Sequence, residues 1–149
     1  MIKKGWLSLS GEGFVDYKDI YEWIVNLIRE YEILPLVVGY DRYSATYLIN
    51  ELSQSGVRCD DVYQGFNLYP AIQEFEGSMN SGLINIGNND LLKVHMLDTA
   101  LLMDAESRRS RIVKVNSKVH IDCMASILCA LIVKQKWFSE IGEQLKNEV

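Results

Sequence analysis

The sequence predicts an α/β fold, a mixed sheet flanked by helices, and three observations carry that prediction. Strand-like and helix-like stretches alternate through the first half of the chain, as in layered strand–helix architectures. Leu34-Pro35-Leu36-Val37-Val38-Gly39-Tyr40 is a short unbroken run rich in β-branched residues, which is how a strand covered on both faces reads. Cys123 to Val133 is almost wholly apolar, and a helix apolar all round is a buried one.

In chain order, the alternation of Trp6, Ser8 and Ser10 with Leu7 and Leu9 permits a short strand, which Gly11-Glu12-Gly13 breaks off. Asp16 reads as an N-cap, and Ile20, Trp23, Ile24, Leu27, Ile28 and Tyr31 recur behind it at helical spacing, so a helix is predicted over 16–31. The apolar run 34–40 follows as a strand and ends at Asp41. Ser44 can cap a second helix through Leu52, with Gly56 closing it in a left-handed turn. Val57 to Tyr63 is the next strand, Pro70 to Ser81 a helix stopped by Gly82, 85–89 a polar loop and 91–97 a short helix. Thr99 to Met103 and Arg111 to Val115 form a hairpin across the charged turn 105–110. Ile121 to Trp137 is the buried helix, and 138–149 a separate, weakly amphipathic tail helix. Trp23, Tyr31 and Tyr47 are expected in the core.

The 149 residues suit one domain, and 48% hydrophobic against 23% charged excludes a disordered chain. No apolar run approaches the length of a membrane span, and Met1 to Trp6 has no signal-peptide pattern. Three cysteines with no CxxC pair read as thiols in a reducing cytoplasm. The net charge of -5 argues against a general nucleic-acid coat. It is unevenly spread, however. Arg108, Arg109, Arg111, Lys114 and Lys118 fall in one stretch without an acid, so the rest of the chain carries -10.

Ligands of open α/β sheets sit outside the carboxyl ends of the strands. Asp41 occupies such an end, and it either serves a site there or begins the next helix. Asp122 enters the last helix ahead of an apolar face. It either interacts favourably with the helix N-terminus or joins Asp41 as a ligand for Mg²⁺ or Mn²⁺, hard cations that prefer oxygen. The basic stretch is either a solvated hairpin or an edge that contacts phosphate. His95 and His120 lack a second His at zinc-ligand spacing, although His120 stands close enough to Asp122 to assist in activating water. No GxGxxG, Walker or GxSxG pattern occurs, and no Cys has a credible base partner.

Several segments together resemble a known family. Gly11-Glu12-Gly13-Phe14-Val15-Asp16-Tyr17, Gly39-Tyr40-Asp41-Arg42-Tyr43-Ser44-Ala45, Gln64-Gly65-Phe66 and His120-Ile121-Asp122-Cys123-Met124-Ala125 look, in order and spacing, like the nuclease domain of the large subunit of tailed-phage terminases. The resemblance covers roughly Trp6 to Trp137. It implies a partial RNase H-like mixed sheet and metal-dependent cleavage of concatemeric double-stranded DNA during genome packaging in the host cytoplasm. The family's acid after its central strand falls on Asp41, and the acid opening its last core helix falls on Asp122. Both would be catalytic metal ligands for Mg²⁺ or Mn²⁺. Lys118 matches a basic position ahead of the last acid, while the Gln64-Gly65 turn and the helix 70–81 look structural.

The family carries a further catalytic Asp on a first strand that would precede residue 1, and an ATPase domain that has no counterpart here. Cys123 stands where the family often has Gly. The chain is therefore expected to be the C-terminal portion of a nuclease domain, from a fragment, a trimmed chain or a degenerate prophage gene, with weak or no cleavage of its own. Implied partners are DNA, the N-terminal ATPase region, the terminase small subunit and the portal. Two rival readings remain open on the residues alone. One is a non-catalytic module that oligomerises or docks through an exposed sheet edge; the other is an α/β domain that takes a small molecule near Asp41.

Overall fold

Pro35 has no backbone N–H to give a ladder, so the apolar run begins pairing only at Val37. In the computed structural model, which describes residues 1–41 and 46–147, strand β1 (Val37–Asp41) pairs in parallel with β2 (Arg58–Val62). Val37 lies opposite Arg58 and Asp41 opposite Val62. Side chains alternate along a strand, so Val37, Gly39 and Asp41 share one face of β1 and Val38 and Tyr40 the other.

Helices cover both faces. On the Val38 side, Ile24 of α1 (Tyr17–Tyr31) packs with Leu48 and Leu52 of α2 (Thr46–Gln54), Val38 and Cys59. The opposite side holds the larger core, built by α3 (Tyr69–Asn80) and α5 (Asp122–Asn147) around Val62, Leu68, Phe75, Leu128 and Val133. Leu52, Val62, Leu68 and Leu128 are almost completely buried, each stabilising the fold by roughly 1.5–3 kcal/mol. Helix α5 crosses β1 at Gly39. A Cβ there would sit 3.0 Å from Val133 Cγ1 and 3.1 Å from the Cys129 carbonyl oxygen, so only glycine permits this approach without displacement.

Helix α4 (Asp90–Leu97) leads into an antiparallel hairpin of β3 (Thr99–Met103) and β4 (Ser110–Lys114), with Leu101 opposite Ile112. Parallel and antiparallel pairing are thus both present, in two ladders. The hairpin docks by packing Ile112 against the larger core and by setting the Arg111 guanidinium 5.5 Å from the Phe66 ring centre. Its turn is held by Asp104, which accepts from the Ser107 backbone N–H at 2.8 Å and from the Ser107 hydroxyl. Arg108 adopts φ 55° there, a left-handed conformation unusual for a residue with a Cβ.

The local signals are realised in detail. Asp16 caps α1 by accepting from the Lys18 N–H at 2.9 Å, and Gly56 and Gly82 take positive φ after α2 and α3. Asn89 caps α4 through the Leu92 N–H at 3.0 Å. The cap expected from Ser44 lies outside the described residues.

Four expectations are corrected. Trp6 to Ser10 is no strand: its alternation permits pairing, but Lys4 binds Asp90 at 2.7 Å and Ser10 Oγ accepts from the Asp16 N–H at 2.8 Å, drawing the segment across the surface without a ladder partner. The tail 138–149 is not a separate helix, since α5 continues without interruption to Asn147. Nothing between Trp137 and Gly142 breaks a helix, and Arg58 pairs with Glu140 at 3.1 Å to hold the extension. Nor is α5 buried all round: Met124, Leu128, Cys129 and Val133 face the core while Ser126 and Ala130 are exposed. Trp23, Tyr31 and Tyr47 are 60%, 66% and 62% exposed rather than core. Trp23 falls at the margin of the stripe that Ile20, Ile24 and Leu27 define, Tyr31 is the last residue of α1, and Tyr47 lies in the first turn of α2.

Candidate functional site

Four elements end at one groove of about 620 Å³ between β1 and α5. Asp41 reaches it from the carboxyl end of β1, on the face that Val37 and Gly39 turn towards α5. Gln64 comes from the turn after β2, Lys114 from the last position of β4, and Asp122 and Ser126 from the first turns of α5. Helical spacing of four residues puts Asp122 and Ser126 on the same side of α5. The Gln64 turn is tight and braced: the Gly65 N–H donates to Asn67 Oδ1 at 3.1 Å and to the Tyr63 carbonyl at 3.1 Å.

Neighbouring thiols register the two carboxylates. Burial raises the Cys129 thiol pKa, and the negative charge of Asp41 raises it further. Cys123 is pushed up by burial first and then by the charge of Asp122. Cys59, Cys123 and Cys129 are all free thiols. Asp122 itself is 79% exposed, with His120 Nδ1 at 3.5 Å from its Oδ2. Behind it, His95 Nδ1 accepts from the Cys123 backbone N–H at 3.1 Å.

Of the seven residues singled out in the sequence, the groove collects Asp41, Asp122 and Lys114. Arg108 and Arg109 stand exposed at the hairpin turn, and Lys118 lies in the loop before α5, its N–H donating to Asn116 Oδ1 at 2.9 Å. None of these three lines the groove. Arg111 is folded back on Phe66, and its Nε is buried without an acceptor among the described residues. Gln64 was passed over as a structural turn, yet it follows a strand's carboxyl end by the same rule that marked Asp41. Ser126 could have been found from its spacing to Asp122.

The donor set suits a hard cation in kind, with two carboxylates and a side-chain amide on a groove whose remaining lining is largely apolar. Mg²⁺ is commonly held by one or two carboxylates together with water and phosphate oxygens. Among the described residues, no group of three or more His, Cys, Asp or Glu is gathered closely enough to hold a metal ion. No helix among them is long and apolar enough to cross a membrane.

Fold and groove together define an RNase H-like α/β domain. The chain belongs to the terminase large-subunit endonuclease-domain family, whose pattern, described as "Terminase large subunit, endonuclease domain", matches residues 1–139. Among solved structures it resembles the large terminase of bacteriophage HK97 with a TM-score of 0.73 at 20% identity. That match covers 87% of this chain and 27% of the HK97 chain, so the chain spans little more than a quarter of that protein's length. No curated protein matches the sequence.

Proposed function

We propose that this chain is the C-terminal part of a packaging nuclease domain that cleaves concatemeric double-stranded DNA with Mg²⁺ or Mn²⁺. The observation that carries the reading is the meeting of Asp41, Asp122 and Lys114 around one groove. Asp41 and Asp122 would hold the ion, and its contribution would be Lewis-acid polarisation of a phosphate oxygen and acidification of the attacking water. Lys114 neutralises a phosphate entering the groove. Arg108 and Arg109, fixed at the hairpin turn, and Lys118 ahead of α5 track the DNA backbone on either side and orient the strand without reading its sequence. Gln64 offers both a donor and an acceptor to the same phosphate or its water.

Among the described residues, β1 has one unpaired edge, and an apolar groove of about 320 Å³ lined by Leu36, Val37, Val133 and Trp137 lies between the start of β1 and α5. This edge would receive the preceding strands of a complete domain and, with them, the further acid that the family resemblance implies. Partners implied in the same way are the ATPase region, the small subunit and the portal.

A plasmid-nicking assay with Mn²⁺, alongside calorimetric titration of Mn²⁺, tests the reading. The expected result is measurable Mn²⁺ binding that Asp41→Asn and Asp122→Asn abolish, with nicking weak or undetectable. Robust cutting unaffected by either substitution would overturn the assignment.

A further inference from the structure

The first N–H groups of a helix have no partner within it, and a side chain at the N-cap normally accepts one of them. At the head of α5 the preceding residue is Ile121, which has nothing to offer. The first backbone bond inside the helix runs from the Ala125 N–H to the Ile121 carbonyl at 3.0 Å, leaving the N–H groups before it to find partners elsewhere. For Cys123 the partner comes from another helix, 28 residues away: His95 Nδ1 at 3.1 Å. An acceptor at Nδ1 requires a neutral ring with its proton on Nε2.

The ring is mounted on a braced support. Asn89 caps the start of α4, the Thr99 hydroxyl donates to the His95 carbonyl at 2.6 Å, and Leu92 and Met96 pack against the larger core. Asp122 sits in the turn that this bond ties down and is 79% exposed, so its carboxylate is located by the backbone beneath it together with His120, whose Nδ1 lies 3.5 Å from Oδ2.

We propose that His95 is a positioning residue for Asp122, fixing the first turn of α5 through the Cys123 N–H so that the carboxylate faces the groove. This rests on the reading of Asp122 as a metal ligand. Groups that orient a ligand from behind typically change metal affinity by about 10–100-fold when removed.

The test uses the 149-residue chain and Mn²⁺ alone. Amide hydrogen exchange at Cys123, measured by NMR without metal, and Mn²⁺ affinity by calorimetry are compared in the parent, His95→Ala and His95→Asn. Asn returns an acceptor oxygen close to the place of Nδ1. The expected result is faster exchange at Cys123 and about 10-fold weaker Mn²⁺ binding in His95→Ala, both largely restored in His95→Asn. Faster exchange with unchanged Mn²⁺ affinity makes His95 a helix cap only and overturns the proposal, as does unchanged exchange. A parent that binds no Mn²⁺ overturns the metal reading and the positioning role together, which separates that failure from a failure of His95 alone.

Discussion

At the Trp137 end of α5, Asp60 accepts from the indole Nε1 at 2.7 Å and pairs with Lys136 at 2.8 Å, while the Arg58 guanidinium lies 4.1 Å from the Trp137 ring centre. One turn back, Glu74 of α3 receives Lys134 and Gln135, each at 2.6 Å. At the Asp122 end of the same helix, the Cys123 N–H meets one imidazole nitrogen, and the carboxylate is 79% exposed with His120 Nδ1 at 3.5 Å. The difference teaches how one helix serves two purposes. Packing and paired charges hold the stretch from Leu128 to Trp137, whereas in the first turn Asp122 is largely exposed with His120 beside it.

The comparison can be broken or sharpened by substitution. The largest loss is expected where α5 meets the larger core: Leu128→Ala removes an almost completely buried side chain and should lower unfolding free energy by about 2–5 kcal/mol in a urea titration. Gly39→Ala should cost about 1–3 kcal/mol, because Val133 and the Cys129 carbonyl must give way to the new methyl; calorimetric melting measures it. Asp60→Asn should cost about 1–2 kcal/mol at neutral pH by ending the pairing with Lys136. The smallest change belongs to Asp122→Asn, expected within about 0.5 kcal/mol of the parent in stability although Mn²⁺ binding is lost. A large destabilisation there would mean that the amino end is structural after all.

Acid should act on the same stretch around Trp137. Partial burial by itself would raise the Asp60 pKa, but the hydrogen bonds from Lys136 and Trp137 and the charges of Lys136 and Arg58 outweigh it and hold the carboxyl below its ordinary 3.8. A depressed folded-state pKa contributes stability above the unfolded value, and that contribution is lost as the pH falls through the folded one. Glu74 behaves alike below its ordinary 4.5, with hydrogen bonds from Lys134 and Gln135 as the leading causes. Trp137 fluorescence should therefore change below about pH 4 in the parent. In Asp60→Asn that change should be smaller.

What could be read in advance follows the range of the interactions. The Asp16 cap, the stop at Gly82 and the strand ending at Asp41 depend on neighbours within a few positions, and the chain spells them out. Trp6 to Ser10 failed for the opposite reason: a strand needs a partner, and alternation says nothing about whether one is near. The acids of the candidate site were legible because strand ends and helix starts can be located along the chain. Lys114 was legible only as one of five cations, and the fold separates it from Arg111, which turns to Phe66. Gln64 follows a strand end and was legible by the rule that marked Asp41, whereas His95 owes its role to a contact with Cys123 across 28 residues, of which local spacing carries no trace.

The close passage of α5 over Gly39 has a further consequence. Asp41 is two residues from that contact along β1, and Asp122 is two helical turns, about 10 Å, from Cys129 along α5. The strand and the helix that carry the two carboxylates touch where a side chain is missing. The separation of the acids is therefore gauged by a hydrogen atom standing where other residues have a methyl. A lift of α5 by a few tenths of an ångström would alter the spacing of the two acids without touching either one.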